Sequence, residues 1–98
     1  MFRHVVMVRW KSEASPEQRA AALAGMRSLP DQIPQIRRFM LGEDARVDDG
    51  TFDLVIVADF DSADYYAIYR DHPSHRTLID TVTGPIIAVR AAVQHELP

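Results

Sequence analysis

Proton-handling groups crowd one short stretch of this chain: Tyr69 to His75 reads YRDHPSH, a phenol, two imidazoles and a proline within seven residues. Histidine is the side chain that ordinarily titrates near neutrality, and a tyrosine hydroxyl beside it can donate or accept a hydrogen bond. The cluster therefore suits general acid-base work without a cofactor. The same residues have a purely structural reading, because two histidines flanking a proline at a helix junction can simply satisfy exposed backbone groups. A third reading makes His4, His72 and His75 three imidazole ligands for zinc or another transition metal, the last two at i, i+3. Pro73 disturbs the helix between them and no carboxylate is clearly placed as a fourth ligand, so neither a metal nor another cofactor is expected.

The elements that must position this stretch follow from periodicity. From Phe2 to Trp10 the residues alternate, with Phe2, His4, Val6, Val8 and Trp10 on one face and Arg3, Val5, Met7 and Arg9 on the other. This predicts a strand that turns His4 towards whatever covers the sheet. Ser15 followed by Pro16, Glu17 and Gln18 predicts a capping box opening a helix, whose Leu23, Met26 and Leu29 form a core stripe and which Pro30 ends. Ile36 to Gly42 predicts a second strand, with Phe39 and Leu41 on one face. The acidic segment Glu43 to Gly50 suits a hairpin connection, and Phe52 to Phe60 alternates as a third strand. Its aspartates lack the spacing of a calcium loop. Ser62 caps a short helix through Tyr69, YRDHPSH leads into a further helical turn ending near Gly84-Pro85, and Ile86 to His95 predicts the last strand.

The resulting βαββαβ order predicts an α+β, ferredoxin-like subunit: one four-stranded antiparallel sheet with helices on one face, in a single domain over residues 1–98. The other sheet face would expose Val5, Met7, Val55, Val57 and one apolar set of the last strand. This predicts a homodimer through sheet faces. A chain that is 47% apolar and 26% charged is globular in composition, and a net charge of -3 offers no basic footprint for nucleic acid. The absence of cysteine excludes disulfides, thiolate nucleophiles and thiolate-bound metal clusters. Arginines interrupt the N-terminal apolar run and no segment nears the ~18 apolar residues of a membrane span, so no membrane partner and a cytoplasmic location are expected.

On RHVVMVRWK, SPEQ, FDLVIVADFDS and YRDHPSH, taken together and in this order, the chain resembles the stress-responsive A/B barrel family of dimeric α+β barrels. The resemblance spans nearly the whole chain and implies a ferredoxin-like subunit pairing into a closed barrel. Many such proteins are stress-associated and not known as enzymes, whereas the similar plant polyketide cyclase branch closes a linear polyketide by aldol condensation without metal or cofactor. The resemblance to that branch implies Tyr69 and His75 as the acid-base pair, with His4 and His72 as supporting pocket residues. An aldol closure needs a proton removed beside a carbonyl and charge stabilised on a carbonyl oxygen, tasks that fit an imidazole and a phenol. Phe2, Leu23, Phe39, Ile56 and Phe60 are then the expected apolar lining of a pocket between sheet and helices, or equally its solid core. The ligand would be small and apolar or polyketide-like; the alternative is a dimeric protein of stress tolerance or ligand binding without turnover.

Overall fold

Alternation in the first ten residues produces strand β1, Phe2–Trp10, in a computed structural model that describes all residues 1–98. There follow α1 (Pro16–Gln32), β2 (Arg38–Glu43), β3 (Leu54–Phe60), α2 (Ala63–Asp71), α3 (Pro73–Leu78) and β4 (Ile87–Glu96). Between α3 and β4 the chain makes a wide π turn over Ile79–Thr83 and a 3-10 turn over Gly84–Ile86. The strands form one antiparallel sheet in the order β2-β3-β1-β4, the ferredoxin-like α+β arrangement predicted from the sequence. No helix is long and apolar enough to cross a membrane.

Helices cover the sheet face that carries the even-numbered residues of β1. There Val6, Val8, Leu54 and Ile56 pack with Met26 of α1, and beside them Ala58 and Phe60 pack with Leu29, Ile33 and Tyr69. The capping box at the start of α1 forms in full: Ser15 Oγ accepts from the Gln18 amide at 3.1 Å, and Gln18 Oε1 accepts from the Ser15 amide at 2.8 Å. Pro30, however, does not end the helix, which runs on to Gln32. Both Leu29 and Ile33 are fully buried, and anchoring Ile33 in the core outweighs the one backbone donor a proline removes. Gly25 lies where α3 crosses α1; a Cβ there would run into the Leu78 side chain, so its absence lets the motif-bearing helix settle close.

Strand limits also shift from the sequence reading. β2 starts at Arg38 because Ile36 turns back, its amide donating to the Ile33 carbonyl at 3.2 Å. β3 starts at Leu54 because Asp53 is occupied in locking the loop: its carboxylate accepts from the Trp10 amide at 2.8 Å and pairs with Arg46 at 2.8 Å. Gly50, at φ 82°, supplies the left-handed turn expected of Asp49-Gly50.

The opposite sheet face is left uncovered by this chain. Register places Met40, Val57, Val5 and Val93 in one row across it, with Val55, Met7 and Ala91 in the next. Met7 is 40% exposed, Met40 42% and Val93 58%. At one end of this face Arg3 grips Asp59 through two parallel hydrogen bonds, 2.7 and 2.8 Å, and this pairing holds the Asp59 carboxyl below the usual carboxylate range.

Candidate functional site

Proline chemistry shapes the junction that carries YRDHPSH. Pro73 forces His72 into an extended backbone, ψ 135°, which stops α2 at Asp71 and starts α3 at Pro73 in a new direction. His72 sits at this corner and caps α3, its Nδ1 accepting from the Ser74 amide at 3.1 Å. Its lone pair thus serves a free amide rather than a helix-end carbonyl. One turn on, His75 folds back over the end of α2 and its Nδ1 lies 2.9 Å from the Arg70 carbonyl oxygen. A carbonyl oxygen only accepts, so Nδ1 carries the proton and Nε2 is left as a basic lone pair.

Tyr69 stands against this imidazole. The two rings are 4.2 Å apart between centroids, and Phe60 supports the phenol from another side at 5.2 Å. Tyr69 is 5% exposed, yet its hydroxyl makes no hydrogen bond within the chain. No side-chain polar atom is sealed away without a partner, so the phenol oxygen opens onto the adjoining cavity. Burial, with Tyr66 nearby, pushes the Tyr69 hydroxyl up to about 12. It is a proton donor throughout the physiological range. His75 moves the other way: burial lowers its pKa, the Arg70 carbonyl opposes this, and the Arg76 and Arg90 charges add to the lowering. The imidazole is therefore neutral at pH 7.

Strand β1 brings the third group. His4 is 4% exposed on the helix side of the sheet, between Ala58 on β3 and Gln94 on β4. Gln94 Nε2 donates to His4 Nδ1 at 3.0 Å, which leaves Nε2 of His4 as the N–H donor. Tyr66 lies on its ring at 4.8 Å. Burial, reinforced by the charges of Arg90 and His75, pushes the His4 imidazole down to about 4. The chain thus pairs two neutral imidazoles of opposite polarity: His75 offers a lone pair, His4 an N–H.

All three face a cavity of about 420 Å³ between sheet and helices. Of the residues expected to line it, His4, Phe39, Ile56, Tyr69 and His75 do. The others stand elsewhere. Phe60 is wholly buried behind Tyr69, and Leu23 packs against the Val6–Met26 cluster. Phe2 stacks on the far side of Tyr66 at 5.2 Å, and His72 is spent on its cap. The three histidines of the metal reading do not converge, and no group of three metal-ligating side chains in the chain is placed to hold an ion. Val6, Val8, Met26, Leu29 and Leu78 supply the apolar wall instead.

Tyr66, Thr83 and Arg90 line the cavity and were not singled out from the sequence. Tyr66 had a signal: at i, i+3 from Tyr69 it shares that face of α2. Arg90 had none: it pairs with Val8 and so shares the inner face of the sheet, but a charged residue on that face runs against the hydrophobic pattern.

No protein of curated function matches the chain. Solved structures do. A dimeric ferredoxin-like protein of unknown function from Thermobifida fusca YX is 33% identical, with a TM-score of 0.89 over 98% of this chain and 90% of that one. The hydroxynitrile lyase of Passiflora edulis is 19% identical, with a TM-score of 0.87 over 99% of this chain and 93% of its own. A protein of the Dabb family from Mesorhizobium loti MAFF303099, 15% identical with a TM-score of 0.83, covers 99% of this chain and 96% of its own. These last two share the fold. The family model of the stress responsive A/B barrel domain, Dabb, matches residues 2–96, and the chain belongs to that family.

Proposed function

We propose that this protein is a cofactor-independent enzyme that moves a proton between carbon and oxygen on a small ketone-bearing substrate, in the manner of an aldol cyclase. The observation that carries this reading is the pairing of an unpartnered Tyr69 hydroxyl with the free Nε2 of His75 at the wall of one cavity. In the closure, His75 Nε2 takes a proton from the carbon beside a carbonyl, breaking that C–H bond. The carbon then attacks a second carbonyl of the same molecule, a C–C bond forms, and the negative charge lands on the attacked oxygen. Tyr69, held protonated by its pKa of about 12, donates a hydrogen bond to that oxygen rather than acting as base. The imidazolium returns its proton to the alkoxide, and no co-reactant is consumed. His4 Nε2–H is a second donor into the same space.

Assembly as a homodimer belongs to this proposal. The uncovered apolar rows on the outer sheet face support it, as does the dimeric state of the 33% identical relative.

The test is turnover of a linear poly-β-keto thioester with a short alkyl tail, followed as ring-closed product against the buffer rate. Tyr69→Phe and His75→Ala should each lower the enzymatic rate by about 10²- to 10⁴-fold. Tyr69→Phe should also melt within about 3 °C of the parent, because the hydroxyl it removes has no partner to lose. Wild-type protein that does no better than buffer, or variants as fast as the parent, overturns the enzymatic reading. A second reading, binding of an apolar ligand without turnover, is favoured by the aliphatic wall of the cavity and survives that result.

A further inference from the structure

The charges around the cavity are one-sided. Arg70, Arg76 and Arg90 line it together with His4 and His75, and no aspartate or glutamate does. This occurs in a chain whose acidic residues outnumber its basic ones, 14 to 11. Arg70 is already neutralised, held by Asp71 through two hydrogen bonds of 3.0 Å. Arg76 and Arg90 take part in none of the chain's ion pairs. Arg90 projects from the inner face of β4, opposite Val8 and four residues before the Gln94 that holds His4. Beyond the larger influence of burial, its charge acts on all three site groups, lowering His4 and His75 and working against the rise at Tyr69.

Unpaired guanidinium groups beside an apolar cavity with no carboxylate of its own make a receptor for an anion with an oily tail. We infer that the cavity takes an apolar carboxylic acid in its ionised form, its tail against Val6, Val8, Met26 and Leu29 and its carboxylate on Arg90, with Arg76 beside it. The planar, two-oxygen carboxylate matches the guanidinium fork. At ~30 Å³ per heavy atom, a cavity of about 420 Å³ has room for roughly a dozen such atoms. The inference rests on the cavity being a ligand site, as proposed above, and adds the charge of what it holds.

The probes are octanoate, 1-octanol and octyl phosphate, titrated calorimetrically at pH 7.5 into the wild-type protein, Arg90→Met, Arg90→Lys and the Arg76→Met/Arg90→Met double variant. Octanoate should bind about ten- to hundredfold tighter than 1-octanol to the wild type, the range expected of one charge-assisted contact. Arg90→Met should bring the two within about threefold by weakening octanoate alone, and Arg90→Lys should keep most of the preference. Binding of octanoate should also raise the His75 titration midpoint, followed by NMR, because the anion offsets the Arg90 charge. If 1-octanol binds as tightly as octanoate to the wild type, or the double variant retains the preference, the anionic assignment is wrong while the cavity remains a ligand site. Tighter binding of octyl phosphate than of octanoate replaces the carboxylate by a phosphate head and overturns the assignment as stated. If no probe binds, the ligand-site reading itself falls.

Discussion

Lowering the pH from 7.5 to 5 should destabilise this protein through His4. The imidazole is buried between β3 and β4 under Tyr66, and its pKa falls from the ordinary 6.5 to about 4. Between those values the unfolded chain binds a proton that the fold refuses. Stability is therefore complete above about pH 6.5 and drains away as the pH falls towards 4. The full difference corresponds to roughly 3 kcal/mol, and about 2 kcal/mol of it is lost by pH 5. The Asp53 and Asp59 carboxyls, both lowered, subtract their share only as the pH drops through the carboxylate range below this window. His75 acts in the same direction as His4 and sharpens the loss.

The assay is urea unfolding at pH 7.5 and at pH 5, at one protomer concentration, for the wild type and His4→Gln. A glutamine can still exchange a hydrogen bond with Gln94 but has no proton to take up. The wild type should lose about 2 kcal/mol more than the variant on acidification. An NMR titration of the His4 ring should show no midpoint above pH 5. Parallel losses in the two proteins would refute the reasoning, because they would show that His4 accepts its proton inside the fold.

Two other outcomes are expected. Gly25→Val should destabilise the chain by about 2 kcal/mol, because the new side chain meets Leu78 where α3 crosses α1; chemical denaturation reads this, and an unchanged midpoint would mean that Leu78 swings aside freely. Met7→Glu combined with Val93→Glu should yield a folded monomer by analytical ultracentrifugation, since both side chains lie on the uncovered sheet face, and an intact dimer would place the interface elsewhere.

The sheet was legible because β1 and β3 alternate cleanly, and the same alternation put His4 on the inner face beside the motif. Alternation tells which face a side chain occupies, not how deep it lies. Phe60 therefore belongs to solid core, while Phe39 and Ile56 reach the cavity. Strand β4 hid its contribution for a different reason. Its apolar residues Val89, Ala91 and Val93 point to the uncovered face, and its polar Arg90 and Gln94 point inward, the reverse of what burial favours. A register shift between Arg9 and Trp10 lets Ile87 face inward although Val89 faces out. Hydrophobic patterning thus fails on β4, whose inner residues Arg90 and Gln94 are polar, one lining the cavity and the other holding His4.

The structural and chemical readings of YRDHPSH turn out to share their hydrogen bonds. His72 and His75 both satisfy backbone groups at a helix junction, as two histidines around a proline can. They do so with opposite consequences. His72 uses a lone pair to cap the Ser74 amide, whereas His75 gives its Nδ1 proton to the Arg70 carbonyl and keeps a lone pair on Nε2. The bond that closes the end of α2 is therefore also the one that leaves the His75 Nε2 lone pair free. A backbone partner at His75 consequently says nothing against chemistry there. The discriminating feature is Tyr69: packing on Phe60 and His75 needs only its ring, so a phenylalanine would serve a structural role. Its hydroxyl makes no hydrogen bond within the chain and opens onto the cavity, so it is free to donate to whatever the cavity holds. Together with Arg90 at the same wall, that free donor is the feature of the site that the proposed oxygen-bearing ligand would use and a structural role would not.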